Sequence, residues 1–190
     1  MLYRIFTAIN IPEDIKKKLT DLQKTYPQIP ARWLKEENIH ITLNFLGNLD
    51  ENQLLETINT TKETASQYSP FELKINKAIY GPPGKKPPRL IWAETEKNQA
   101  ISLLQADLEK HFFDLPSFQY KKAENRSYSP HITLARIKAF EFRKMEIEEI
   151  PEIHEEINLS FEVDSIEVMQ SKLKRSGAEY AVLESIMLSD

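Results

Sequence analysis

The sequence predicts a mixed α and β fold. Helical and strand-like apolar periodicities alternate along the chain, and one strand-like tetrapeptide occurs twice, which suits neither an all-helical nor an all-strand architecture. At 190 residues the chain can build a substantial core, and we expect one folding unit over 1–190, a length that also allows two lobes.

The opening stretch around Leu2 to Ile9 is an apolar strand candidate. Pro12 then suits the first turn of a helix carrying Ile15, Leu19, Leu22 and Tyr26 at helical spacing. A second helix starts near Asp50, where Asp50 and Gln53 form a capping-box pattern, and runs through Leu54, Leu55, Ile58 and Ala65. Phe71, Leu73 and Ile75 alternate with polar residues as a strand does. The segment Gly81-Pro82-Pro83-Gly84-Lys85-Lys86-Pro87-Pro88 cannot continue a helix or a central strand and reads as a surface loop between strands. Ile101, Leu104, Leu108 and Phe112 mark a third helix. The acidic stretch from Glu141 to Glu156 reads as a solvated helix and connection held by Phe142, Met145 and Ile150, and Leu159, Phe161 and Val163 resume the strand pattern.

Composition removes several classes of function. Hydrophobic residues make up 41% and charged residues 28%, and no apolar run approaches the roughly 18 residues of a membrane span. The N-terminus MLYRIFTAINIP lacks the pattern of a secretory signal, so the expected location is the cytoplasm. The absence of cysteine excludes disulfides, thiolate metal ligands and a cysteine nucleophile. A net charge of -4 argues against holding long nucleic acid by general attraction, but is compatible with a short end or a small nucleotide. Asn59-Thr60-Thr61 and Asn125-Arg126-Ser127 match a glycosylation pattern that has meaning only in a secreted chain.

The informative feature is the repeat of His40-Ile41-Thr42-Leu43 as His131-Ile132-Thr133-Leu134, 91 residues later. In a strand, His40 and Thr42 share one face and Ile41 and Leu43 the other, and the second copy behaves likewise. If two related lobes bring these strands together, two imidazoles and two hydroxyls converge on a site suited to a phosphate. A pair of imidazoles serves phosphodiester chemistry because one can take a proton from water while the other protonates the departing oxygen. The threonine hydroxyls can donate to non-bridging oxygens, and an arginine can neutralise developing charge. Arg136 is the nearest candidate, although strict alternation places it on the apolar parity of its strand. Any one His-x-Thr is more often structural than catalytic, but repetition of all four residues favours a duplicated functional element. His111 and His154 lack that context and read as incidental.

This arrangement resembles the two-histidine (2H) phosphoesterase superfamily, and within it the RNA 2′,3′-cyclic phosphodiesterases also described as 2′-5′ RNA ligases. The resemblance covers nearly the whole chain. It includes Arg4 to Ile9, Arg32-Trp33, Phe45-Leu46-Gly47, Arg89-Leu90-Ile91-Trp92, Pro130, Arg136, Ser171 and Ser176-Gly177-Ala178-Glu179-Tyr180. It implies a bilobal α/β (α+β) fold in which each half supplies an antiparallel sheet with flanking helices around a central groove. It also implies that His40 is the proton donor to O3′, that His131 is the proton acceptor activating water, and that the product is a 2′-phosphate. By the same resemblance, Thr42, Thr133 and Arg136 hold the phosphate, Phe6 lies against the base or ribose, and neither metal nor cofactor is required. The expected partners are RNA ends or small nucleotides carrying a 2′,3′-cyclic phosphate, met by a monomer. Lys174-Arg175-Ser176-Gly177 is more basic than the family pattern, and Tyr120 to Lys138 carries Lys121, Lys122, Arg126, Arg136 and Lys138 against Glu124 alone, a candidate basic rim. Two other functions stay open at this point: forming a 2′-5′ linkage, and binding nucleotides without catalysis.

Overall fold

The computed structural model describes residues 1–118, 128–174 and 177–189. Its elements run β1 (Tyr3–Asn10), α1 (Glu13–Asp21), β2 (Ala31–Trp33), β3 (His40–Leu49), α2 (Glu51–Ala65), β4 (Phe71–Gly81) and β5 (Leu90–Thr95). Then follow α3 (Gln99–Asp114), β6 (His131–Ile137), α4 (Ala139–Phe142), β7 (His154–Val163), β8 (Ser165–Lys174) and β9 (Gly177–Met187).

Pro12 takes the N-cap of α1, where its missing N–H leaves nothing unsatisfied. The helix tightens into a 3₁₀ turn over Leu22–Lys24, so Leu22 and Tyr26, expected on the helix, fall outside α1. Pro27 disfavours helical geometry at Tyr26. Tyr26 is nonetheless buried, and its hydroxyl donates to Glu155 at 2.6 Å. The capping box at α2 is formed in full: the Gln53 N–H donates to the Asp50 carboxylate at 2.9 Å, and the Asp50 N–H donates to the Gln53 side chain at 3.0 Å. Its buried stripe is largely threonine. Thr57, Thr61 and Thr64 each donate to the carbonyl four residues back, which satisfies hydroxyls that would otherwise be costly to bury, whereas Leu55 faces solvent. In α3, Ile101, Leu104, Leu108 and Phe112 all enter the core as their spacing predicts.

The strands form one antiparallel sheet in the order β7-β4-β5-β6-β3-β1-β8-β9, with β2 paired to the end of β6. This sheet has two halves of like construction. In each, a motif-bearing strand lies innermost (β3 or β6), and a strand-helix-strand unit leads into it: β1-α1-β3 and β5-α3-β6. The halves, anticipated as separate sheets, meet where β3 pairs with β6 through Ile41↔Ile132, both fully buried, and where β2 pairs with the end of β6. A continuous core takes residues from both halves, while Phe6, Ala8 and Met169 form a separate small cluster with Tyr180 packed against it. The loop at 81–88 joins β4 to β5 as expected, and among the described residues no helix is long and apolar enough to cross a membrane.

Candidate active site

The Ile41↔Ile132 pair sets the site. With these isoleucines in the core, alternation turns His40, Thr42, His131 and Thr133 to the other face, where all four are half-buried. The antiparallel register directs His40 towards Thr133 and Thr42 towards His131.

Both imidazoles are anchored in the same way. His40 Nδ1 lies 2.9 Å from the carbonyl oxygen of Asn38, and His131 Nδ1 lies 2.8 Å from that of Ser129. A carbonyl can only accept, so each Nδ1 carries the hydrogen and each Nε2 is the nitrogen free to exchange a proton. Thr42 Oγ1 lies 3.1 Å from His40 Nε2 and donates to it when the ring is neutral. Tyr128, close before the second motif, donates its hydroxyl to the Thr42 carbonyl at 3.0 Å and so ties one motif to the approach of the other.

Strict alternation put Arg136 on the wrong face, and a β-bulge resolves this. Between β5 and β6 the register passes from Ile91↔Ala135 to Trp92↔Thr133, which leaves Leu134 as an extra residue. Leu134 and Ala135 therefore both face the core, and Arg136 emerges exposed on the side of the histidines. The first copy repeats the device. There Thr7↔Asn44 is followed by Ala8↔Thr42, so Leu43 is extra, Leu43 and Asn44 are both buried, and Phe45 emerges at the position equivalent to Arg136.

Aromatic rings hold both imidazoles. Phe6 has its ring centroid 5.1 Å from that of His40, and Tyr180 meets the same imidazole edge-on at 5.1 Å. Phe6, which the sequence reading lays against a base or ribose, lines the cavity beside His40 but is only 1% exposed, its ring enclosed by His40, Phe45 and Tyr180. It supports a catalytic candidate, and the open aromatic surface belongs to Phe45, 73% exposed. In the other half, Trp92 lies 4.0 Å from His131 between ring centroids. The supporting roles of Trp92, Tyr180 and Tyr128 were not read from the sequence, because nothing local to those residues marks them as neighbours of the motifs.

Burial is the main influence on both histidines. It pushes His40 down to about 4, against the opposing pull of the Asn38 carbonyl and with help from the positive charges of Lys16, His131 and Arg136. His131 is also lowered by burial, and the Ser129 carbonyl and the carboxylate of Glu94 work against that shift. His111 and His154 stay apart from the site: His111 Nδ1 lies 2.9 Å from the Thr64 hydroxyl, and His154 opens β7. Of the anticipated basic rim, Lys121, Lys122 and Arg126 lie outside the described residues, and Lys138 pairs with Glu141 at 3.2 Å. Among the described residues, no three His, Asp or Glu side chains gather as a metal-binding group would.

A sheet whose two innermost strands present paired His-x-Thr motifs on one face, each imidazole anchored through Nδ1, defines a two-histidine phosphoesterase. The chain belongs to the LigT-like phosphoesterase family, whose model matches residues 9–92 and 94–180. It is 30% identical over 182 residues to an RNA 2′,3′-cyclic phosphodiesterase of Methanocaldococcus jannaschii, covering 95% of this chain and 98% of that protein. It is 28% identical over 191 residues to the protein of the same name from Methanothermobacter thermautotrophicus, covering 99% and 100%. A crystal structure from Thermus thermophilus superposes with a TM-score of 0.83 at 25% identity, over 97% of both chains. Escherichia coli LigT complexed with 3′-AMP superposes at 0.77 with 21% identity over the full length of both, a likeness of fold.

Proposed function

We propose that this chain opens 2′,3′-cyclic phosphates on RNA ends by hydrolysis, leaving a 2′-phosphate. The observation that carries this reading is the matched anchoring of His40 and His131, which leaves two Nε2 atoms on one face of the sheet seam. The shared name of the relatives from M. jannaschii and M. thermautotrophicus supports the cyclic-phosphate substrate.

In the reaction, His131 Nε2 takes a proton from water as the water oxygen bonds to phosphorus. The bond from phosphorus to O3′ breaks, and His40 Nε2–H gives its proton to that oxygen, so the 3′-hydroxyl is restored and the phosphate stays on O2′. Thr42 and Thr133 donate to the non-bridging oxygens, and Arg136 offsets the negative charge that grows on them. In the free protein His40 is neutral near pH 7, because burial and its cationic neighbours depress it. The anionic phosphate reverses the sign of that local field, so His40 acquires its proton as substrate binds.

The test is product analysis on an RNA oligomer ending in a 2′,3′-cyclic phosphate, before and after exhaustive EDTA treatment. Hydrolysis to a 2′-phosphate that persists after chelation is the expected result. Complete loss restored by a divalent ion would overturn the metal-independent mechanism, and a 3′-phosphate product would reverse the assignment of the leaving oxygen.

A further inference from the structure

Arg32 and Arg136 stand directly opposite each other in the β2–β6 register, and among the described residues neither has an ion-pair partner. Like charges facing across strands destabilise a sheet, so folding alone gives no reason for the pair. They line a cavity of about 580 Å³ that begins at Phe6 and Tyr180, beside His40. Four residues of this cavity, Arg4, Gly47, Ser171 and Leu173, also line a second one of about 500 Å³, so the two form a continuous groove leading away from the histidines.

The groove is cationic throughout. Arg4, Arg32, Arg136, Lys172 and Lys174 are its charged lining, and among the described residues no aspartate or glutamate lines either cavity, although the chain as a whole is acidic. Lys174 is engaged by Glu179 at 2.5 Å, and Lys172 stands opposite the same Glu179 in the β8–β9 register, whereas Arg4 has no ion-pair partner among the described residues. Exposed apolar side chains stand among these charges: Phe45 at 73% and Leu173 at 71%. Arg4 shares its strand face with Phe6, two residues and about 7 Å further from the histidines. Unpaired cations interleaved with open apolar surfaces suit a chain of phosphates and bases better than one small anion.

Resting on the cyclic phosphodiesterase reading, we propose that this groove binds the nucleotides immediately upstream of the cyclic end, with Arg4 contacting a phosphodiester beyond the terminal nucleotide. The direction follows from chemistry. A 2′,3′-cyclic phosphate occupies both ribose hydroxyls, so the rest of the strand leaves only through O5′ and needs a path out of the site. A mononucleotide fills the part near His40 and leaves Arg4 without a partner. The preferred substrate is therefore single-stranded RNA several nucleotides long.

The experiment compares kcat/KM for cytidine 2′,3′-cyclic phosphate with that for a single-stranded RNA hexamer ending in the same group. The hexamer is expected to be better by at least about tenfold, about 1.4 kcal/mol of added transition-state binding. In Arg4→Gln this ratio should fall about fivefold, and the salt dependence for the hexamer should weaken by about 0.7 in logarithmic slope, for one phosphate left without its cation. The charge reversal Arg4→Glu supplies a second variant with the same direction and a larger change. Equal kcat/KM for the two substrates, or a ratio unmoved by these substitutions, overturns the groove while leaving the activity intact. Failure to hydrolyse either substrate overturns the activity, and the groove assignment with it.

Discussion

Gly81 and Trp92 are packed so closely that no side chain fits between them: a β-carbon on Gly81 would collide with Cδ2 of the indole. The same indole lies against His131, with 4.0 Å between ring centroids. A glycine in the β4–β5 hairpin thus helps to set the position of a proposed catalytic ring.

The substitution Gly81→Ala forces the Trp92 ring to shift and His131 with it. We expect a loss of about 1–3 kcal/mol of stability from overpacking and a drop in kcat that exceeds any change in KM. Thermal unfolding and steady-state kinetics together test this, and a variant with native Tm and native kcat would refute the proposed support of His131 by Trp92.

His40→Ala and His131→Ala each remove a proton-transfer group from a half-buried position outside the core. Activity should fall by about 10²–10⁴ in each, with the fold retained by circular dichroism. Two folded variants with near-native rates would remove the acid-base mechanism altogether.

His40 also predicts a pH dependence of stability. Its folded value of about 4 lies below the roughly 6.5 of an unfolded histidine, so between these values the unfolded chain binds the proton more readily than the native one. This term destabilises the protein progressively as pH falls from about 6.5 towards 4 and is absent above that window. Tm measured across the window should decline less steeply in His40→Asn than in the native chain; parallel curves would show that burial does not depress His40. In an NMR titration the His40 ring should take up its proton at higher pH once a 2′-phosphorylated nucleotide is bound.

The capping box at Asp50 and Gln53 lies at the start of a helix, away from the histidines. Asp50→Ala should cost about 1 kcal/mol, equivalent to about 2–4 °C in Tm at this chain length, with unchanged kcat. A kinetic defect in this variant would mean that α2 is coupled to the site in a way its contacts do not show.

The repeated tetrapeptide made the centre of the site legible, because a two-residue period is enough to put His40 with Thr42 and His131 with Thr133 on common faces. The mixed α and β class and the cap of α2 were legible for the same local reason. Arg136 was not, since its orientation depends on an extra residue at Leu134 that only the partner strand β5 reveals. Phe6 was placed near the site, but its burial depends on Phe45 and Tyr180, which approach from β3 and β9. The closeness of Arg32 to Arg136 is likewise a matter of pairing between distant segments, beyond the reach of any local pattern.

The seam at Ile41 and Ile132 works as a fulcrum. The strands β3 and β6 touch in register at that one pair, and each proposed reacting nitrogen stands one residue away on its own strand. A distortion deep within either half displaces one imidazole, but a tilt about the seam changes the spacing between both at once. The gap that must admit a phosphate and a water thus depends on how those two isoleucines pack in the core, on the opposite face from the imidazoles.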